Sequence, residues 1–213
     1  MLYRKVLLIA LTVLSISWQA EGQSQTAARS APSPLLDAAP LVDRGATEWM
    51  TTVGSAWAVV LFHSAEGHHY LSQTLSWGKV LTGAKFNGAL RGRFEWAVEV
   101  TPVFRQYHPE AAYGVGVSPF TWRWNFEPHG KHAPFAELGG GMLWTSSPVP
   151  QRTARANFTA HVGVGLRRMI RPTQALVVSY RFDHISNGNR VERNPSLNAH
   201  GLQVGWSLLK PGQ

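Results

Sequence analysis

The stretch Leu90-Arg91-Gly92-Arg93-Phe94-Glu95-Trp96-Ala97-Val98-Glu99-Val100 alternates in character from end to end. Successive side chains of a strand point to opposite sides. Leu90, Gly92, Phe94, Trp96, Val98 and Val100 therefore share one face, and Arg91, Arg93, Glu95, Ala97 and Glu99 the other. Two further segments repeat the pattern. Phe158, Ala160, Val162, Val164 and Leu166 alternate with Thr159, His161, Gly163, Gly165 and Arg167. Within Asn198 to Leu208, Leu202, Val204, Trp206 and Leu208 are set against Gly201, Gln203, Gly205 and Ser207. Alternation over this length marks strands that cross a bilayer, apolar toward lipid and polar or small toward a lumen.

Weaker alternating segments at 49–61, 69–81, 112–126, 133–145 and 174–186 bring the expected number of strands to eight. The predicted fold is all-β: an eight-stranded antiparallel transmembrane β-barrel, a size whose interior is filled by side chains. The inward Arg and Glu of the Leu90 segment are then expected to pair inside. A soluble, lipocalin-like barrel would turn the apolar residues inward instead, and alternation by itself fits both. The nine tryptophans, only 15% charged residues and absence of cysteine favour the membrane form.

Export is the other argument for it. Arg4 and Lys5 precede the apolar run Val6 to Ile16, and Ala20-Glu21-Gly22 supplies a small-x-small cleavage site. Residues 1–22 are read as a signal peptide cleaved near Gly22, 23–46 as a flexible leader rich in Ala, Ser, Pro and Gln, and 47–213 as the outer-membrane barrel. Without cysteine, disulfides, thiol chemistry and Cys-held metals are excluded. A formal charge of +8 favours an anionic partner, and for an exported chain phosphorylated lipid fits better than nucleic acid.

Candidate chemistry lies at Tyr180-Arg181-Phe182-Asp183-His184-Ile185-Ser186-Asn187-Gly188. By strand parity His184 and Ser186 share the apolar face of Leu176, Val178, Tyr180 and Phe182. With both termini in the periplasm, odd strands run outward. The seventh strand then delivers this pair to the cell surface, and 187–196 is an external loop. A serine hydroxyl becomes a nucleophile when a neighbouring base takes its proton, and a third group normally orients that base. Asn187, Gly188 and Asn194 are local candidates for the oxyanion. Arg190 and Arg193, with Arg152 and Arg155 of the preceding outer loop, are placed to hold lipid phosphates.

At His184-Ile185-Ser186-Asn187, followed by Asn194-Pro195 and the amphipathic strand Leu197 to Leu208, the chain resembles the PagL-like lipid A 3-O-deacylase family of outer-membrane proteins. The likeness is specific over about residues 176–208; upstream, strand pattern and length agree. The resemblance implies an outer-membrane serine esterase that hydrolyses an ester-linked 3-hydroxyacyl chain of lipid A. It implies Ser186 as nucleophile, His184 as base and Asn187 or Asn194 at the oxyanion. One position departs from the family. Its third triad member is acidic, and counting along the motif puts Asn198 there, with Glu192 of the loop as the alternative. Asp183 points to the opposite face.

No cofactor and no metal are expected. The partners implied are lipopolysaccharide as substrate and the membrane itself, with no nucleic acid and a homodimer left open. Two other readings of the barrel stand beside this one: a non-catalytic adhesion or membrane-stability protein, and a phospholipase acting through the same serine. His63, His68 and His69, with Glu66, are read as a surface loop, His161 as an interior polar group, and Trp122 and Trp124 as part of an aromatic belt.

Overall fold

The computed structural model describes residues 36–61, 64–192 and 195–212. Eight antiparallel strands close on themselves, each paired with its sequence neighbour and the last with the first. They are β1 (Thr47–Ala58), β2 (His69–Val80), β3 (Gly92–His108), β4 (Ala112–Phe126), β5 (His132–Thr145), β6 (Ala156–Arg171), β7 (Gln174–Ser186) and β8 (Leu197–Lys210).

The strands obey their alternation. Outward Val164 and Val204 are 57% and 60% exposed, whereas inward Arg123 and Arg167 are 1% and 0% exposed. A barrel that leaves its valines outside and hides its arginines is built for lipid, and the soluble alternative is excluded on this parity.

Two stretches differ from expectation. The deciding segment starts at Gly92 rather than Leu90, because Gly88–Leu90 forms a 3-10 turn entered through Gly88 at φ 61°. It also runs past Val100 to His108. A register shift between Thr101 and Phe104 absorbs Pro102, which has no N–H to give to the ladder. The second difference is in the expected leader. Its described part, from Leu36, is packed rather than loose. Ala38, Leu41 and Val42 are buried against Ala133, Met169, Ala175 and Leu209. Apolar side chains in an Ala/Pro-rich composition drive this. Pro40 presets the 3-10 turn Ala39–Leu41, and Ala38 N donates to Gly130 O at 2.9 Å. The expected signal peptide, residues 1–22, lies outside the described residues.

Inside, charges pair across the lumen rather than along one strand. Arg123 donates to Glu137, Glu95 and Ser76, each at 3.0 Å. Arg167 grips Glu48 with two bonds of 2.6 Å and donates to Asn125 Oδ1 at 2.8 Å. Arg181 bridges Glu99 and Glu137. Of the Leu90 segment, Glu95 and Glu99 enter this network, while Arg93 pairs with Asp43 and Glu127, and Arg91 with Glu127, at the rim nearer the termini. Glu48, Glu95, Glu99 and Glu137 thus each meet a guanidinium, which is what allows these ions to stay buried. An apolar cluster of Tyr70, Phe104, Leu143, Val149, Ile185 and Leu197 closes the opposite end.

Candidate active site

β7 ends at the rim away from the chain termini, and its last outward side chains are Phe182, His184 and Ser186. The register supplies their neighbours. His184 lies between Ala160 of β6 and Asn198 of β8, and Ser186 lies opposite Phe158 of β6. On one strand, same-face α-carbons two residues apart are about 6.6 Å from each other, so adjacent side chains can lean together.

The His184–Asn198 contact fixes the state of the imidazole. His184 Nδ1 lies 2.7 Å from Asn198 Oδ1. Asn198 Nδ2 donates to the carbonyl oxygen of Leu61 at 3.0 Å. A carbonyl only accepts, so the Asn198 amide is oriented with Nδ2 toward Leu61 and Oδ1 toward the ring. His184 then carries its proton on Nδ1, and Nε2 is left with the lone pair. That is the tautomer a general base needs. Asn198 is itself buried, 4% exposed, and its carbonyl oxygen accepts from Val59 N at 2.9 Å. The loop between β1 and β2 therefore packs against the back of the histidine's partner.

Beyond Ser186 the chain reverses sharply. Gly188 at φ 63° and Asn189 at φ 59° are consecutive left-handed residues, a conformation glycine and asparagine tolerate best. A Cβ on Gly188 would lie 3.0 Å from the Phe158 ring, so the turn is pressed against the aromatic side chain opposite Ser186. Asn187 is fully buried at the base of this turn. Arg190 closes it. Its guanidinium sits 4.6 Å from the centre of the Phe158 ring and donates to Asn187 O at 3.0 Å and to Ala156 O at 2.5 Å.

The site residues read from the sequence thus divide. His184 and Asn198 are in hydrogen-bond contact, and Ser186 shares the outward face of β7 with His184, with Asn187 and Gly188 next in the chain. Glu192 is exposed in the loop, and the ring's Nδ1 faces Asn198. Asp183 points inward and accepts from the Tyr70 hydroxyl at 2.7 Å across the lumen. Arg152 and Arg155 are exposed in the loop between β5 and β6. Arg190 is exposed, with its guanidinium folded back onto its own chain. Arg193, Asn194 and His63 lie outside the described residues. Among the described residues no group of three His, Asp or Glu side chains converges in a metal-holding geometry.

Two participants were not anticipated from the sequence: the Leu61 carbonyl and Phe158 as the neighbour of Ser186. Parity placed Phe158 on the outward face, but only the β6–β7 register sets it opposite the serine.

The closed eight-stranded antiparallel barrel with an outward apolar face defines an outer-membrane barrel protein. Its patch at the β7 end joins an oriented histidine to a serine-bearing strand terminus. The chain belongs to the lipid A 3-O-deacylase (PagL) family, whose profile matches residues 48–207. That family is one of carboxylic ester hydrolases, and membership makes this chain an enzyme of that class in the outer membrane. Among solved structures it is similar to the outer membrane enzyme PagL, with 16% identity over 74% of this chain and 97% of that one and a TM-score of 0.53. It is equally similar to Neisserial surface protein A, with 17% identity, 78% and 99% coverage and a TM-score of 0.53. At such identities both likenesses establish the barrel alone. No curated protein sequence matches the chain.

Proposed function

We propose that the barrel removes an ester-linked 3-hydroxyacyl chain from lipid A at the outer leaflet, with Ser186 as nucleophile and His184 as general base. The observation that carries the reading is the 2.7 Å contact between His184 Nδ1 and the oriented oxygen of Asn198, which leaves Nε2 basic on the face it shares with Ser186. His184 takes the Ser186 proton as the oxygen attacks the ester carbonyl. The tetrahedral oxyanion is met by donors of the Asn187–Gly188 turn, the neighbouring Asn194 being the further candidate. Collapse expels the sugar hydroxyl, which receives the proton from His184. Water then hydrolyses the acyl-serine by the same route and releases the 3-hydroxy fatty acid. No step calls for a metal or cofactor.

Asn198 performs half of the acid's work. It holds the ring and its tautomer but brings no negative charge to the imidazolium formed in the transition state. Exposed Arg152 and Arg155, with Arg193, suit the phosphates of the substrate. The lipid-facing patch is reached laterally from the membrane, so the substrate need not enter the filled lumen.

Purified wild-type protein in mixed micelles should release 3-hydroxy fatty acid from lipopolysaccharide. Ser186→Ala and His184→Ala should each lower kcat by about 10³-fold or more while the barrel stays folded. Equal release from the Ser186→Ala variant would refute the mechanism. Faster release from glycerophospholipid than from lipid A would make the enzyme a phospholipase through the same serine.

A further inference from the structure

We infer that Arg190 is a positioning residue that clamps the turn following the nucleophile, and that its guanidinium is not a ligand for substrate phosphate. The inference rests on the Ser186 reading above. Three independent contacts converge on one side chain. Nε donates to Asn187 O at 3.0 Å, within the turn. Nη2 donates to Ala156 O at 2.5 Å, at the start of β6. The guanidinium carbon lies over the ring of Phe158, 4.6 Å from its centre, and Phe158 is the cross-strand partner of Ser186.

The clamp therefore ties the Asn187–Gly188 peptide, which carries the Gly188 N–H, to the strand beside it. The turn needs such a tie, because Gly188 and Asn189 both sit at positive φ and glycine imposes little backbone preference of its own. The Phe158 ring fills the space below Gly188, where a Cβ would come within 3.0 Å of two ring carbons, and Arg190 roofs the same ring. Only a planar, forked cation can stack on a ring and still donate to two carbonyls that lie in different elements. A lysine would keep the charge and lose that geometry.

The two possible roles of the charge separate cleanly. A clamp acts on the transition state, through the position of the oxyanion donors, so its loss falls on kcat. A phosphate ligand acts on binding, so its loss falls on KM, is restored by lysine and vanishes on a substrate without phosphates.

The test compares wild type with Arg190→Gln and Arg190→Lys on lipid A and on enzymatically dephosphorylated lipid A, with heat-modifiable gel mobility to confirm folded barrels. Both variants are expected to lose about tenfold or more in kcat with little change in KM, equally on the two substrates. Amide hydrogen exchange across 187–190 is expected to quicken in Arg190→Gln, a readout that does not depend on turnover. Recovery of the rate by Arg190→Lys, a loss confined to KM on the phosphorylated substrate, or unchanged exchange in the turn would each overturn the inference. Full activity of Ser186→Ala would instead remove the reading on which it rests.

Discussion

Asn198 is the residue on which the proposed chemistry turns. Its two amide atoms serve two partners of opposite demand: Oδ1 accepts a hydrogen bond from His184 Nδ1, and Nδ2 donates to the Leu61 carbonyl. A carboxylate could serve only the first, and would set an oxygen against the Leu61 oxygen. The substitution Asn198→Asp should therefore do two things at once. The imidazolium formed in the transition state gains a negative neighbour, so kcat should rise. The barrel should also lose the Leu61 hydrogen bond, lowering its thermal midpoint by an amount equivalent to about 1–3 kcal/mol. A kcat identical to wild type would show that Asn198 does not communicate with the proposed base. Asn198→Ala, with neither end satisfied, should lower kcat by about 10–100-fold without moving KM.

At the scale of elements, the polar ladder inside the barrel and the outer loops are the parts that can be challenged. Arg123 holds Glu95, Glu137 and Ser76 together from β4. Arg123→Met leaves two buried carboxylates short of a partner and should cost about 3–5 kcal/mol in urea unfolding. A cost below 1 kcal/mol would mean that water compensates the lost guanidinium. On the outer rim, His68 Nδ1 donates to Gln106 Oε1 at 2.7 Å, and Gln106 Nε2 is committed to Glu110 O. Burial holds the His68 pKa below its ordinary value, with the charges of His108 and His69 acting in the same direction. The folded protein therefore binds this proton less readily than the unfolded chain does. The stability it contributes is complete above the ordinary histidine pKa, falls as pH drops through that value, and is lost once pH passes below the folded pKa. Urea midpoints measured from pH 7.5 down to 5 should fall, and His68→Gln should flatten that slope. These elements were legible in the sequence to different degrees. Alternation in Leu90–Val100 and Phe158–Leu166 announced strands because lipid on one side and a polar lumen on the other enforce period two. Pairings such as Arg181 with Glu99, 82 residues apart, were not legible, since they depend on strand tilt and register across a closed sheet.

For the whole molecule, apolar clusters lie at both ends of the lumen, and paired charges occupy the space between them apart from a cavity beside Glu99, His161, Arg181 and Asp183. The cluster around Tyr70, Phe104 and Ile185 seals one mouth, and Ala38, Leu41 and Val42 seal the other. A barrel so filled should conduct no ions: planar bilayers containing it should stay silent, and discrete conductance steps would contradict the closed interior. The second seal shows the limit of composition as a guide. An Ala- and Pro-rich segment read as a leader, yet three apolar side chains suffice to bury its last stretch where the barrel mouth offers Met169 and Leu209. The common face of His184 and Ser186 was legible, because parity and strand count together placed them at one end of the seventh strand. Its surroundings were not: Leu61 lies 137 residues from Asn198, and only closure of β1 on β8 brings them together.

Lipid A function is best tested where the substrate is native. Lipid A should be extracted from Gram-negative cells expressing either the wild-type chain or Ser186→Ala, with the folded barrel verified in the outer membrane in both. Mass spectrometry should then show lipid A lighter by one 3-hydroxyacyl chain for the wild type and unmodified for the variant. Identical spectra from the two, with both barrels folded, would contradict the assignment of a Ser186-dependent lipid A deacylase.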